Sequence, residues 1–258
     1  MMTPLADYHD QRNAFLTLLE PDCAKRILLF SGDTGTGKTS LIMDCQKNVC
    51  DPVYHIPIQL RGTVVSIAEI FQRTVNSLGW KSLPNFKEEL ASFGGNQVNI
   101  DRAKMRGSDN QINVVLQGQN PVDREERQAI LTNAWFEDIR HLDRLLLMVM
   151  DTYEKATTEV KDWISGPFLT RTSDVEKIRV AIAGQEVPEA NTIEWGHCCE
   201  MQELYGVPEA QHWLPVVKNL GRVIPVEHPL DWLAGICHAL NGHPDTIMQI
   251  IQSLPHQQ

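Results

Sequence analysis

A short apolar run, Arg26-Ile27-Leu28-Leu29-Phe30-Ser31, feeds directly into Gly32-Asp33-Thr34-Gly35-Thr36-Gly37-Lys38-Thr39. The run has no polar face, so it reads as a strand buried on both sides of a parallel sheet. The eight residues after it satisfy G-x-x-x-x-G-K-[ST], a pattern that a chain of this length matches by chance about one time in a hundred. Glycines let the backbone fold tightly, so that consecutive N–H groups point inward at phosphate oxygens. Leu41, Ile42 and Cys45 follow at helical spacing, and a helix opening near Lys38 adds its positive dipole end. In such a loop Lys38 bridges β- and γ-phosphates and the Thr39 hydroxyl takes one position on Mg²⁺. The candidate binding segment is therefore Gly32, Asp33, Thr34, Gly35, Thr36, Gly37, Lys38, Thr39 and Ser40, with ATP or ADP as the ligand. The bland alternative is a glycine-rich turn that binds nothing.

The rest of the chain alternates in the same way. Val53–Ile58, Leu145–Met150 and Ile178–Ala183 read as strands, and a fifth falls within Cys198–Leu204 or, in competition, Arg222–Val226. Helical spacing predicts helices over about 10–20, 38–48, 67–78 and 123–139, then over about 208–219, 229–240 and 244–253. Strands alternating with helices imply an α/β P-loop NTPase fold: a mainly parallel five-stranded sheet flanked by helices, plus a small C-terminal helical lid. The expected division is 1–205 for the nucleotide-binding part and 206–258 for the lid. Residues 81–121, rich in Gly, Asn and Gln, read as an exposed, flexible insertion with at most a short strand near Ile112–Leu116.

Composition narrows the partners. Of 258 residues, 23 are Lys or Arg and 33 are Asp or Glu, a formal charge of −10. That balance argues against broad phosphate-backbone binding, so nucleic acid is not an expected partner. The cluster Arg102, Lys104 and Arg106 is local, thin evidence to the contrary. The longest uncharged apolar run, Leu145–Met150, is far too short to span a bilayer. No secretory signal is visible at the start of the sequence, and the six cysteines include no C-x-x-C pair, so reduced thiols and a cytoplasmic location are expected. His197, Cys198, Cys199 and His212 match no familiar zinc spacing.

A phosphate loop needs a second acid for the metal. Asp151 closes an apolar strand, which brings its carboxylate to the carboxyl edge of the sheet, where the glycine loop also lies. Glu154 follows three residues later, a candidate to polarise an attacking water, with Lys38 as its catalytic companion. Asp151 also suits a helix N-cap, and Glu154 a solvated first turn. Arg140 and Arg144 flank the acidic strand, as arginine fingers or as solvated charges.

Gly32–Ser40, Thr132-Asn133-Ala134-Trp135-Phe136, Leu145–Glu154, Arg179–Gly184 and Gly242-His243-Pro244 occur in this order. The series, spanning roughly 10–254, resembles the STAND class of AAA+-related P-loop ATPases. The resemblance implies an ATP-dependent regulatory switch that acts through protein partners, with possible nucleotide-dependent self-association. It implies that a polar sensor follows the strand at 178–183 and that Pro244 rests against adenine. Where that class frequently has Gly-Arg, this chain has Gly184-Gln185, and a neutral Gln185 stabilises transition-state charge less well. The class usually carries an effector domain before the ATPase and a repeat array after it; this sequence has room for neither, so the expectation is either an excised domain or a stand-alone relative that works through separate partners. Two alternatives therefore stand beside a low-turnover Mg²⁺-dependent ATPase: a nucleotide-binding interaction module without turnover, and a nucleic-acid-associated AAA+ helper.

Overall fold

A computed structural model describes residues 5–49, 52–61, 65–94, 108–117 and 121–256. Five strands, β1 (Ile27–Gly32), β2 (Val53–Gln59), β3 (Leu145–Asp151), β4 (Ile178–Gly184) and β5 (Cys199–Leu204), form one parallel sheet in the order β2-β3-β4-β1-β5. Burial follows position. Every residue of central β4 is buried, whereas β2 and β5 at the edges alternate with exposed positions. An edge strand needs no continuous apolar run, which is why Cys-Glu-Met-Gln-Glu-Leu is weakly marked as a strand. Arg222–Val226 contributes no strand; Arg222 makes one isolated antiparallel bridge to His256.

Alternate strand residues enter two different cores, as the two-residue period of a strand requires. Ile27, Leu29, Met148, Met150, Val180 and Ile182 face one core, shared with α3 (Ile67–Leu78), α4 (Pro84–Gly94), α5 (Ser108–Gln117), α6 (Pro121–Arg140), α7 (Thr158–Trp163) and α8 (Leu169–Asp174). Leu28, Phe30, Leu147, Val149, Ala181 and Ala183 face the other, shared with α1 (His9–Leu18), α2 (Lys38–Lys47), α9 (Ala210–Asn219), α10 (Pro229–Ala239) and α11 (Pro244–Ser253). The result is a helix–sheet–helix sandwich, the P-loop NTPase α/β fold.

Residues 81–121 depart from expectation. Their described parts are helical: Ile112–Leu116 lies in α5, not in a strand, and Leu83, Phe86, Leu90, Ile112 and Val115 are buried in the first core. The period of Ile112, Val115 and Leu116 is helical, and the adjacent Val114-Val115 obscured it. Asp138 of α6 fastens the start of α4 by accepting from the backbone N–H groups of Asn85 (3.0 Å) and Phe86 (2.8 Å). Over 84–94 and 108–117 the expected exposed insertion is instead helix packed on the core; residues 95–107, with the Arg102, Lys104, Arg106 cluster, and 118–120 lie outside the described residues. No described helix is long and apolar enough to cross a membrane.

Candidate functional site

Because all five strands run the same way, their carboxyl ends share one edge, the edge where ligands collect in open α/β sheets. The glycine loop leaves β1 there and turns into α2. Gly37, the residue before α2, has φ 92°, and Gly35 has φ 81°, both conformations that disfavour an L side chain. At Gly35 a Cβ would also lie 2.3 Å from His243 Cε1, so a side chain there would displace the imidazole that caps α11.

Lys38 turns back over the loop. Its ammonium donates to the carbonyl oxygens of Gly32 (2.6 Å) and Asp33 (2.7 Å). Burial lowers its pKa, against the opposing pull of Glu154, Asp151 and Asp33. The Thr39 hydroxyl donates to Asp151 Oδ2 at 2.9 Å, joining the two residues singled out as metal ligands. Since Thr39 spends its proton on Asp151, its oxygen lone pairs remain for a cation. Glu154 Oε2 accepts from the backbone N–H of Gln185 at 3.0 Å, and the Gln185 amide donates to Thr34 Oγ1. These hydrogen bonds tie the ends of β1, β3 and β4 together.

Residues of α11 complete the enclosure. The Asp245 N–H donates to Gly35 O at 3.0 Å, and His243 Nε2 lies 3.0 Å from Thr34 O. A cavity of about 390 Å³ results, within the usual range for small-molecule sites. Thr34, Gly35, Gly37, Lys38, Thr39, Ser40, Asp151, Glu154, Gln185 and Pro244 all line it. Gly32, Asp33 and Thr36 stand behind it as the loop's frame, with Thr36 Oγ1 donating to Asp33 O at 2.9 Å.

Sequence reasoning missed the other walls. Tyr8, Val207, Trp213 and Met248 form an apolar end, and Arg61 stands past the end of β2. The Tyr8 hydroxyl reaches the carbonyl oxygens of Thr36 and, at 2.9 Å, Tyr205, and burial raises its pKa. A contact with Tyr205, 197 residues away in sequence, leaves no local signal. Arg61 had one, a charge two residues beyond an apolar strand. Arg144 precedes β3 at the opposite sheet edge, beside Asp143 (3.5 Å) and the Tyr54 ring, and Arg140 pairs weakly with Glu137 (3.7 Å). Neither lines the cavity. Among the described residues no cluster of three or more His, Cys, Asp or Glu side chains is set to hold a metal by itself; His212 lies against Asp7 at 3.1 Å.

In backbone geometry the chain is similar to a Walker-type ATPase of Pyrococcus abyssi, with a TM-score of 0.52 and 12% identity over 96% of this chain and 67% of that one. It is also similar to Cdc6p of Pyrobaculum aerophilum, with a TM-score of 0.56 and 14% identity over 97% of this chain and 62% of that one. The chain thus spans roughly two thirds of either protein's length. No family model matches the sequence, and no curated protein matches it. At such identities the likeness establishes the fold, that of the P-loop NTPases.

Proposed function

We propose that this chain is a Mg²⁺-dependent ATP-binding switch of the AAA+ type, nearest in its motifs to the STAND class, that hydrolyses ATP slowly and signals through a protein partner. One observation carries the reading. A single cavity is walled on one side by the glycine loop with Lys38, Thr39 and Asp151, and on the other by Pro244 and Asp245 of α11. A nucleotide seated there touches both the sheet part, residues 1–205, and the helical part, residues 206–258. A ligand that contacts both halves of one closed arrangement shifts the population toward it.

The residues present suit the ligand. Hydroxyl and carboxylate oxygens are the hard donors that Mg²⁺ prefers, and Mg²⁺ takes few of its ligands from protein when phosphates supply the rest. Bound Mg²⁺, held by Thr39 and through water by Asp151, would offset phosphate charge. Lys38 exchanges the carbonyls of Gly32 and Asp33 for phosphate oxygens. Glu154, oriented by the Gln185 N–H, polarises water. Pro244, with Tyr8, Val207 and Trp213, provides the apolar end for the base. All five described cysteines are free, which fits a reducing compartment such as the cytoplasm.

Nucleotide titration followed by a phosphate-release assay tests this directly. ATP with Mg²⁺ is expected to bind, and Lys38→Ala to lose most triphosphate affinity while remaining folded. Unchanged binding by Lys38→Ala would sink the assignment. The neutral Gln185 at the end of β4 favours a second reading, a nucleotide-gated interaction module, for which binding is retained and phosphate release is absent. Stimulation of phosphate release by DNA would favour the nucleic-acid-associated helper instead.

A further inference from the structure

The order of the strands lays the cavity out in a line. Val207 and Trp213 of its apolar end follow β5 in the chain; along the strand ends then come the glycine loop after β1, Gln185 after β4, Asp151 closing β3, and finally Arg61 after β2. A nucleotide with its base at the apolar end and its phosphates on the glycine loop points its terminal phosphate toward β3 and β2. Arg61 is planted there by the sheet itself. Gln59 is the register partner of Asp151, and the Leu60 N–H donates to Asp151 O at 2.8 Å, so the backbone one residue before Arg61 is fixed to the metal-side acid.

The guanidinium is held without being neutralised. With its amide oxygen turned toward the arginine, Gln59 accepts from Arg61 Nε at 3.1 Å and from Nη2 at 3.2 Å. Among the described residues Arg61 has no carboxylate partner. A neutral acceptor restricts the side chain and leaves the positive charge and Nη1 for an anion. The cavity needs that charge: Asp151, Glu154 and Asp245 line it, against Lys38 and Arg61 alone. A magnesium-bound triphosphate is still a net anion, and the residue following β4 that faces the loop is the neutral Gln185.

Resting on the nucleotide reading above, we propose that Arg61 binds the terminal phosphate and thereby sets the preference for nucleoside triphosphate over diphosphate. It is the cation that Gln185 does not supply, brought from the end of β2, on the far side of β3. A diphosphate ends short of it and forgoes the contact.

The test compares dissociation constants of ADP and a non-hydrolysable ATP analogue, with Mg²⁺, by calorimetry on the full chain. In Arg61→Ala the analogue is expected to weaken by about 10- to 100-fold, the worth of a lost charge-assisted hydrogen bond. ADP should move by less than about twofold, since it makes no such bond. Arg61→Lys keeps charge but not the fork and should fall between. Gln59→Leu, which frees the guanidinium, should weaken the analogue to a smaller extent and leave ADP alone. Thermal unfolding of each variant reports whether it is folded, and Gln59→Leu provides the reading if Arg61→Ala is not. Equal weakening of both nucleotides, or no change in either, would overturn the terminal-phosphate role while the nucleotide site stood. If the unaltered protein bound neither nucleotide, the site reading would itself fail and take this inference with it.

Discussion

Lys38 closes the loop on itself. Its ammonium satisfies two carbonyls of its own loop, an arrangement that costs solvation and lowers its pKa, and phosphate oxygens are the better partners. In the proposed mechanism Asp151 serves the metal and Glu154 the water. Asp151, 9% exposed, already holds the Thr39 hydroxyl, while Glu154 is positioned by a backbone N–H. Asp151→Asn is therefore expected to weaken the Mg²⁺-dependent part of binding, read as the ratio of affinities with and without Mg²⁺. Glu154→Gln keeps an oxygen to accept the Gln185 N–H, so binding should hold while turnover falls by about 10²- to 10⁴-fold, the usual worth of a general base. Turnover equal to that of the unaltered protein would rule out the general-base role. Both acids were legible because each stands at or just past the end of a uniformly apolar strand. Tyr8 was not, since it acts through a contact distant in sequence; Arg61 carried only the weak signal of a charge two residues past β2, a strand whose apolar run is broken by Tyr54, His55 and Gln59.

Between elements, the decisive contact joins α11 to the glycine loop. The His243 side chain caps α11, with Nδ1 accepting from Thr246 N–H at 3.4 Å, while its Nε2 faces Thr34 O. Proline suits the first turn of a helix because its missing N–H would have no partner there. That places Pro244 in the cavity wall, where its ring can pack against a base. Pro244→Gly should weaken ADP and ATP by similar factors and leave the Mg²⁺ dependence untouched. A loss confined to ATP would mean that the contact acts on phosphate rather than on the base. The three C-terminal helices were legible because their apolar residues recur at helical spacing: Trp213, Val216 and Val217 in α9, Leu233 and Cys237 in α10, Ile247 and Ile251 in α11, all buried. What the spacing did not contain was their seating. Gly-His-Pro specifies a turn and a helix start, but the Asp245-to-Gly35 hydrogen bond depends on tertiary placement. The same limit explains α5, where a short apolar pair was compatible with either period until burial of Ile112 and Val115 chose the helix.

At the scale of the molecule the sheet separates two cores, and the C-terminal helices belong to only one of them. Leu233, Cys237, Ile247 and Ile251 of the C-terminal helices share a core with Leu28, Phe30 and Leu204 of the strands, whereas α3 to α6 pack on the opposite face. A ligand that binds only the native state raises global stability by RT ln(1 + [L]/Kd), about 2.7 kcal/mol at a hundredfold excess over Kd. That increment slows hydrogen exchange equally for every amide that exchanges through global unfolding. Amides that exchange through local opening respond only if the ligand contacts the part that opens. If nucleotide clamps α9 to α11 onto the glycine loop, their amides, Asp245 N–H first, should gain protection beyond the amount seen in β4 and α6. Hydrogen exchange with and without Mg²⁺ and a non-hydrolysable ATP analogue measures the difference element by element. In Pro244→Gly, at matched saturation, the excess protection of α11 should shrink while that of β4 stays. A uniform gain across both faces would show a ligand that stabilises the fold without coupling its parts, and would leave the site as a binding module rather than a switch.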